Sequence, residues 1–368
     1  SLVGSEMCIR DRPKTVCLNS ATAALELVLR VLGIGEGDEV IVPAMTYTAS
    51  CSVIYHVGAK AVIVDIQKDG HEMDYEALEN AITEKTKAVI PVDLAGIPCN
   101  YDKIFEVVNA KKSLFKANSE YQEKLGRIAV VADGAHALGS VYKGVKVGAV
   151  ADFTTFSFHA VKNFTTAEGG SVTWKENPNF DDEELYKEFQ IYSLHGQTKD
   201  ALAKTKAGSW EYDIVIPGYK CNMTDIMASI GLVQLDRYPK LLERRVELVE
   251  QYNKAFEGTR VVPLIHYADT YKSSGHLYIT HIKGATYEQR GEIITKMAER
   301  GISCNVHYKP LPLLTAYSNL GFDIEDYPNA YDYFVNEVTL PLHTRLSDED
   351  VKVIVENFKE IVAEVVGE

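Results

Sequence analysis

Short apolar segments alternate with segments of helical period from Lys14 to about Thr173. Residues 128–132 are all apolar and end at Asp133, whereas residues 23–32 carry leucine and valine at the spacing of one helix face. Strands that are apolar on both faces need cover on both sides, which sheets obtain from helices. The alternation therefore predicts an α/β fold, with a mostly parallel sheet between two layers of helices.

The pattern changes near Asn222, where a long helical stretch begins. We expect Pro239 to interrupt this stretch, because proline has no N–H to donate within a helix. Strands and helices continue beyond it, with one strand expected at residues 305–308. We therefore predict a large domain over residues 13–240 and a smaller C-terminal α/β domain over residues 241–368.

Composition argues against several classes of protein. A net charge of −14 is unfavourable for a surface that seeks nucleic-acid phosphates. No apolar run reaches the roughly 18 residues that a membrane helix needs. The six cysteines and ten histidines show no spacing typical of a metal site. We therefore expect a cytoplasmic protein with free thiols, which binds no metal, nucleic acid or membrane.

The first candidate site is the turn Asn19-Ser20-Ala21-Thr22, between a strand and a helix. A helix start offers unpaired backbone N–H groups and a positive dipole end, and both attract a phosphate. An N-cap by Ser20 or Thr22 explains the same residues without any ligand. The turn alone therefore leaves both interpretations open.

Further candidates follow two apolar strands. Asp133 ends a buried strand at the edge where open α/β sheets bind ligands, and a carboxylate there can keep a pyridinium nitrogen protonated. Lys162 follows the next strand, beside Ser157 and among aromatic residues, where desolvation frees an amine for Schiff-base chemistry. Taken singly, Asp133 is also explained as a turn cap, His136 as a structural histidine and Lys162 as a solvated loop lysine. The combination with the phosphate turn favours the chemical interpretation.

With these residues in this order, the chain resembles the DegT/DnrJ/EryC1/StrS family of sugar-nucleotide aminotransferases, within the fold type I superfamily of pyridoxal-phosphate enzymes. The resemblance covers nearly everything from Lys14 to the C-terminus. Its most specific segments are VVADGAHALGS and FSFHAVKNFTTAEGG, and the others are NSATAAL, EVIVPAMTYTAS, GYKCNMTDIMASIGLVQL and LPLHTRLSDEDV. It implies an aspartate-aminotransferase-like fold with a large domain and a smaller C-terminal α/β domain.

The resemblance also implies roles for single residues. Lys162 is expected to hold pyridoxal 5′-phosphate as a Schiff base and to carry protons. The other contacts to the cofactor are expected from Asp133 at the pyridine nitrogen, His136 near the phenolic oxygen or the ring face, Tyr47 stacked on the ring, and Ala21, Thr22 and Ser157 at the phosphate. Asn222 is expected at the phosphate in a neighbouring subunit, which requires a homodimer with shared active sites. His307 is a weaker candidate for contact with a nucleotide sugar.

The implied reaction has two halves. An amino-acid donor, expected to be L-glutamate, converts the cofactor to pyridoxamine 5′-phosphate, and a nucleotide-linked keto sugar then receives the amino group. The segment 167–170 is similar to that of family members that aminate a 4-keto sugar. We therefore expect a product of the 4-amino-6-deoxy type, made for a surface polysaccharide or a related glycan.

Two features depart from the family pattern, and three other classes of protein share part of it. Residues 1–12 show neither a helix nor a strand period, and we expect a leader that is not native where the family has a further segment. Position 136, often glutamine in the family, is His136 here. A dehydratase relative carries histidine in place of Lys162, and a non-catalytic sensor is expected to lose Lys162 or Asp133. A Rossmann oxidoreductase needs its glycines between a strand and a helix, whereas the glycines at 33–37 follow a helix.

Overall fold

A computed structural model describes residues 14–198 and 212–367 of the chain. The leader expected at residues 1–12 lies outside the described residues. Among those that are described, no helix is both long enough and apolar enough to cross a membrane.

Helices and strands alternate through the first half of the described chain, and the second half is more helical. The strands are β1 (Thr15–Leu18), β2 (Glu39–Pro43), β3 (Lys60–Val64), β4 (Thr86–Val89), β5 (Ala129–Asp133), β6 (Val141–Tyr142), β7 (Val145–Lys146), β8 (Phe153–Ser157), β9 (Gly170–Trp174), β10 (Val261–Pro263), β11 (Tyr267–Ala268), β12 (Tyr271–Lys272), β13 (Tyr278–Ile282) and β14 (Glu337–Leu340). The α-helices are α1 (Ala21–Val31), α2 (Thr48–His56), α3 (Tyr75–Ala81), α4 (Tyr101–Ala110), α5 (Glu120–Leu125), α6 (Asp182–Ser193), α7 (Asp225–Phe256), α8 (Tyr287–Glu299), α9 (Thr315–Ser318), α10 (Pro328–Val335) and α11 (Asp348–Val366).

A seven-stranded sheet forms the centre of the larger part, in the order β1-β9-β8-β5-β4-β2-β3. The neighbours from β8 to β3 pair in parallel, whereas β9 runs antiparallel to both β1 and β8. The middle strand β5 is buried along its whole length, as its apolar sequence predicts for a strand covered on both faces. The prediction of an α/β fold with a mostly parallel sheet is therefore confirmed.

The start of helix α1 lies directly against strand β9. Ser20 caps the helix, and its Oγ accepts a hydrogen bond from the N–H of Ala23. A Cβ atom added to Gly170 would lie 2.3 Å from the nitrogen of Ala21, so only glycine allows this approach. The close packing places the first turn of α1 at the end of β8 and β9, beside the segment that carries Lys162.

A second core lies in the C-terminal part of the chain. The sheet β10-β13-β14 packs with the second half of α7, with α8 and with α11, and their apolar side chains form a separate buried cluster. A small sheet joins the two parts, because β12 of the C-terminal half pairs with β6 of the first half. The domain boundary expected at residue 240 falls inside α7, and it stays a prediction.

Two local expectations from the sequence were wrong. Helix α7 runs through Pro239 without a break, although proline removes one backbone hydrogen bond. The neighbouring Tyr238 is buried and its hydroxyl donates to the carbonyl of Leu138 at 2.6 Å, so tertiary packing holds the helix there. Residues 305–308 form no strand, and only Asn305 pairs with Thr339, through a single bridge.

Candidate active site

A cavity of about 380 Å³ opens where the parallel strands of the large sheet end. Its volume is typical of a site for a cofactor or small ligand. Most of the site residues predicted from the sequence line it, namely Ala21, Thr22, Tyr47, Asp133, His136, Ser157 and Lys162. The expectation that these seven residues lie together thus agrees with the geometry, although their chemical roles are not tested by it.

Asp133 is held at the cavity wall by two hydrogen bonds. Ser50 donates its hydroxyl to Oδ2 at 2.6 Å, and the N–H of Ala135 donates to Oδ1 at 3.0 Å. The hydroxyl hydrogen of Ser50 is committed to Asp133, so Thr46, at 2.7 Å, donates to Ser50 in turn. These partners fix the carboxylate in a single orientation and leave it capacity to accept a hydrogen bond from a ligand in the cavity.

Lys162 lies in a turn that β8 and β9 bring to the same cavity. The backbone N–H of Lys162 donates to the backbone carbonyl of His159 at 2.9 Å. Burial lowers the pKa of its amine to about 8, and the negative charge of Asp133 opposes this shift. An amine with such a pKa is partly unprotonated near neutral pH, and the neutral form is the one that attacks carbonyl groups.

The part of the cavity at the start of α1 suits an anion. Ser20 caps α1 by accepting from Ala23, which leaves the N–H groups of Ala21 and Thr22 without partners inside the helix. These donors point out of the positive end of the helix dipole. Ser157 lies beside them on the cavity wall and adds a hydroxyl group. The arrangement suits a phosphate group.

His136 is buried and uncharged under the cavity. The N–H of Ala95 donates to its Nδ1 at 3.2 Å, so the ring proton lies on Nε2, which can donate to the hydroxyl of Tyr308 at 3.2 Å. Burial lowers the pKa of the His136 imidazole well below its usual value, and the charges of Lys162 and His276 lower it further. His136 therefore acts as a neutral hydrogen-bonding group.

Sequence reasoning missed several contributors to this site. Tyr308 lines the cavity, and its ring centroid lies 5.9 Å from that of Tyr47, yet only its neighbour His307 was singled out. Ser50 was missed because it lies inside helix α2, far in sequence from the Asp133 that it holds.

Two predicted residues lie outside the cavity wall. Asn222 bridges to Leu18 at the edge of the large sheet, and its amide donates to the carbonyl of Met223 at 3.0 Å. His307 lies behind Tyr308, with ring centroids 5.0 Å apart. Burial lowers the pKa of the His307 imidazole to about 4, and the positive charge of Lys162 contributes to the shift.

An amine, a carboxylate and an open helix start around one cavity fit pyridoxal 5′-phosphate, which needs a Schiff-base lysine, an acid at its ring nitrogen and donors at its phosphate. Together with the sheet order, these groups define a pyridoxal-phosphate-dependent aminotransferase of fold type I. Residues 11–359 match the DegT/DnrJ/EryC1/StrS aminotransferase family, and the chain belongs to this family. The predicted family, fold type, enzyme class and cofactor are thereby confirmed.

Similar proteins agree with this assignment. The chain is 66% identical to the putative sugar aminotransferase Spr1654 from Streptococcus pneumoniae, solved in its PMP form, with a TM-score of 0.97 over 99% of this chain and 91% of that one. It is 37% identical to the spore coat polysaccharide biosynthesis protein SpsC of Bacillus subtilis over 94% of this chain and 85% of SpsC. PseC of Helicobacter pylori, an aminotransferase in the biosynthesis of pseudoaminic acid, is 28% identical with a TM-score of 0.84, over 99% of this chain and 90% of PseC.

Proposed function

We propose that the enzyme transfers the amino group of L-glutamate to a nucleotide-linked 4-keto-6-deoxy sugar, in the cytoplasm, for a surface polysaccharide or a related glycan. The observation that carries the proposal is that Lys162 and Asp133 line one cavity with the open start of α1. The similarity to PseC, an aminotransferase of pseudoaminic acid biosynthesis, and to SpsC, a protein of spore coat polysaccharide biosynthesis, supports a sugar acceptor and a glycan product. The segment 167–170 supports amination at carbon 4.

The bound cofactor supplies an electron sink for breaking the bond between the substrate carbon and its hydrogen. Lys162 holds the cofactor and, once its Nζ is free, takes and returns protons, for which its lowered pKa is suited. Asp133 would keep the pyridine nitrogen of the cofactor protonated, and Ser50 and Ala135 hold the carboxylate in place for this. Transfer of the amino group thus depends on a short set of side chains from neighbouring strand ends.

The remaining cavity residues bind and orient the cofactor. Ala21 and Thr22 bind its phosphate through their N–H groups, and the hydroxyl of Ser157 adds a further donor. Tyr47, which lines the cavity and is 60% exposed, would stack on the ring of the cofactor. His136 donates from Nε2 and remains uncharged, so it orients without competing for the protons that Lys162 moves.

We also propose a homodimer with shared active sites. The first half of α7 exposes several apolar side chains, among them Ile226, which is 77% exposed, and Val233, which is 61% exposed. Such a surface is typical of a protein interface. Asn222 lies two residues before the N-cap of this helix, Thr224, and we assign it to the phosphate site of the partner. The large domain of residues 13–240 then supplies both the interface and the cofactor site, while residues 241–368 form the smaller domain.

The acceptor is identified by a matched screen. Purified enzyme is incubated with pyridoxal phosphate, L-glutamate and one of UDP-, dTDP- or GDP-linked 4-keto-6-deoxy sugars, and the amino sugar is read by mass. We expect one nucleotide to be preferred and L-glutamate to exceed L-alanine and L-aspartate as donor. Loss of the mass of water from the sugar without a gain of nitrogen would show a dehydratase, and cofactor binding with no turnover of any pair would show a sensor.

The dimer is tested by placing a charge on the exposed face of α7. We expect Ile226→Asp to produce monomers in analytical ultracentrifugation and to weaken cofactor binding, because a desolvated charge opposes association. Val353→Asp is the matched control, since Val353 is exposed on α11, away from this face. A dimer that survives Ile226→Asp unchanged places the interface elsewhere.

A further inference from the structure

A buried carboxylate that the proposed reaction does not use lies behind the cavity. Glu337 begins strand β14 and is fully buried. Side chains alternate along a strand, so Val338 and Leu340 face the C-terminal core, whereas Glu337 and Thr339 face the segment that carries His307. A charged residue in such a place needs an explanation, because burial of an unpaired charge is costly.

The two carboxylate oxygens of Glu337 accept hydrogen bonds from two groups that also contact each other. Its Oε2 accepts the backbone N–H of His307 at 2.9 Å, and its Oε1 accepts the hydroxyl of Thr339 at 2.6 Å. The oxygen of Thr339 lies 2.9 Å from Nδ1 of His307. We call this chain of hydrogen bonds the Glu337–Thr339–His307 relay.

The direction of these bonds depends on the charge of Glu337. A hydroxyl has one hydrogen to donate, and ionised Glu337 takes that of Thr339. Thr339 must then accept from Nδ1 of His307, which leaves Nε2 of His307 without a proton. When Glu337 is protonated it can donate to Thr339, Thr339 can donate to Nδ1, and the ring proton moves to Nε2.

The groups around the relay place this change near neutral pH. Burial raises the pKa of Glu337 to about 7, against the lowering effects of its hydrogen bonds and of Arg290 on α8. Tyr333 on α10 and Tyr308 have pKa values raised mainly by burial, and both stay protonated. His281 of β13 pairs directly with Glu337, and burial lowers the pKa of its imidazole, which stays neutral. The low pKa of His307, near 4, keeps its imidazole neutral, so only its tautomer changes.

We propose that Glu337 is a positioning residue that acts through Thr339 to select the tautomer of His307, and so decides whether His307 accepts or donates a hydrogen bond toward the sugar substrate. The inference rests on the proposed function, because it needs His307 to contact the sugar. Among the described residues, Nε2 of His307 has no hydrogen-bond partner, whereas Nδ1 and the backbone N–H are both committed to the relay. The ring thus has one nitrogen left for a substrate.

The tautomer is measured directly by ¹⁵N NMR of the holoenzyme labelled in histidine, with His307 assigned from the spectrum of His307→Asn. We expect the signals of His307 to change from the Nε2–H to the Nδ1–H form as pH rises through about 7. Glu337→Gln and Thr339→Val should abolish that change, and Thr339→Ser should retain it. Wild-type signals that keep one tautomer from pH 5.5 to 8.5 would overturn the proposal, whether or not any variant folds.

The kinetic counterpart separates this inference from the proposed function. We expect Glu337→Gln to raise KM for the sugar about five- to tenfold above pH 7, as for one lost hydrogen bond, and to remove the pH dependence of that KM. The half-reaction with L-glutamate should be unchanged. An equal loss in both half-reactions contradicts the relay while leaving the aminotransferase intact, and failure to aminate any sugar contradicts the proposed function while the NMR measurement still decides the relay.

Discussion

The cavity has two walls that are built in different ways. One wall comes from the strand ends of the large sheet and carries Lys162, Asp133 and the start of α1. The other is a single irregular segment that brings Tyr308 to the cavity, with His307 behind it, and that is tied to β14 by one bridge and by the side chain of Glu337. Hydrogen bonding within the sheet holds the first wall, whereas side-chain hydrogen bonds hold the second.

This difference indicates a division of labour. Groups on a sheet edge are rigid, which suits the proton transfers and cofactor contacts that both half-reactions share. A segment held by a few side chains can vary between relatives without disturbing the sheet. We therefore expect substitutions in the first wall to affect both half-reactions, and substitutions in the second wall to affect mainly the sugar.

The largest effect is expected from Lys162→Ala. Both half-reactions should slow by about 10⁴-fold, because the residue that moves the proton is gone, and borohydride should no longer attach the cofactor to the protein. Stopped-flow absorbance and peptide mass mapping measure the two results. Lys187→Ala, an exposed lysine on α6, should behave as wild type, and a cofactor still fixed by borohydride at another lysine contradicts the assignment.

Asp133→Asn is expected to come next, with both half-reactions reduced on the order of 10³-fold, as for the loss of one preorganised electrostatic group. Ser50→Ala should give a smaller loss in the same direction, since it removes only one donor that holds the carboxylate. Single-turnover rates with L-glutamate and with the sugar measure both. A loss confined to the sugar half-reaction would break the division between the walls.

Glu337→Gln should change how the free energy of unfolding depends on pH. The folded-state pKa of Glu337 is raised from 4.5 to about 7. Its contribution to the free energy of unfolding is therefore fully present below pH 4.5 and is lost as pH rises through about 7. Glutamine does not ionise, so the variant keeps what wild type loses: between pH 4.5 and 8 its free energy of unfolding should rise relative to that of wild type by up to about 3 kcal/mol. Urea unfolding across that range measures it, and a constant difference at all pH values rules out ionisation of Glu337 as the cause.

His307→Ala should have the smallest effect. We expect KM for the sugar to rise about five- to tenfold, as for a single hydrogen bond, with the L-glutamate half-reaction within twofold of wild type. Steady-state kinetics with varied sugar measure the change. His343→Ala replaces an exposed histidine after β14 and serves as control; equal losses in both half-reactions would assign His307 to the first wall.

The first wall is largely predictable from the sequence. Asp133 follows an all-apolar strand and Lys162 follows the next one, so their place at a common sheet edge follows from parallel pairing alone. The second wall could not be predicted in the same way. The pattern of residues 305–308 predicts a strand that does not form, and Tyr308 contacts His136 across a long stretch of sequence. The continuity of α7 through Pro239 was likewise decided by packing against Leu138.

The sequence by itself determined the fold class, the order of phosphate turn, acid and lysine, and the family, since each is encoded by local pattern and spacing. Only the tertiary structure decided which neutral tautomer His136 adopts, what holds Asp133, and that a buried Glu337 stands behind His307. The physical reason is that tautomers and buried charges depend on hydrogen-bond partners from distant segments. Such partners, unlike a helix period or a strand-end acid, leave no signature in the neighbouring residues.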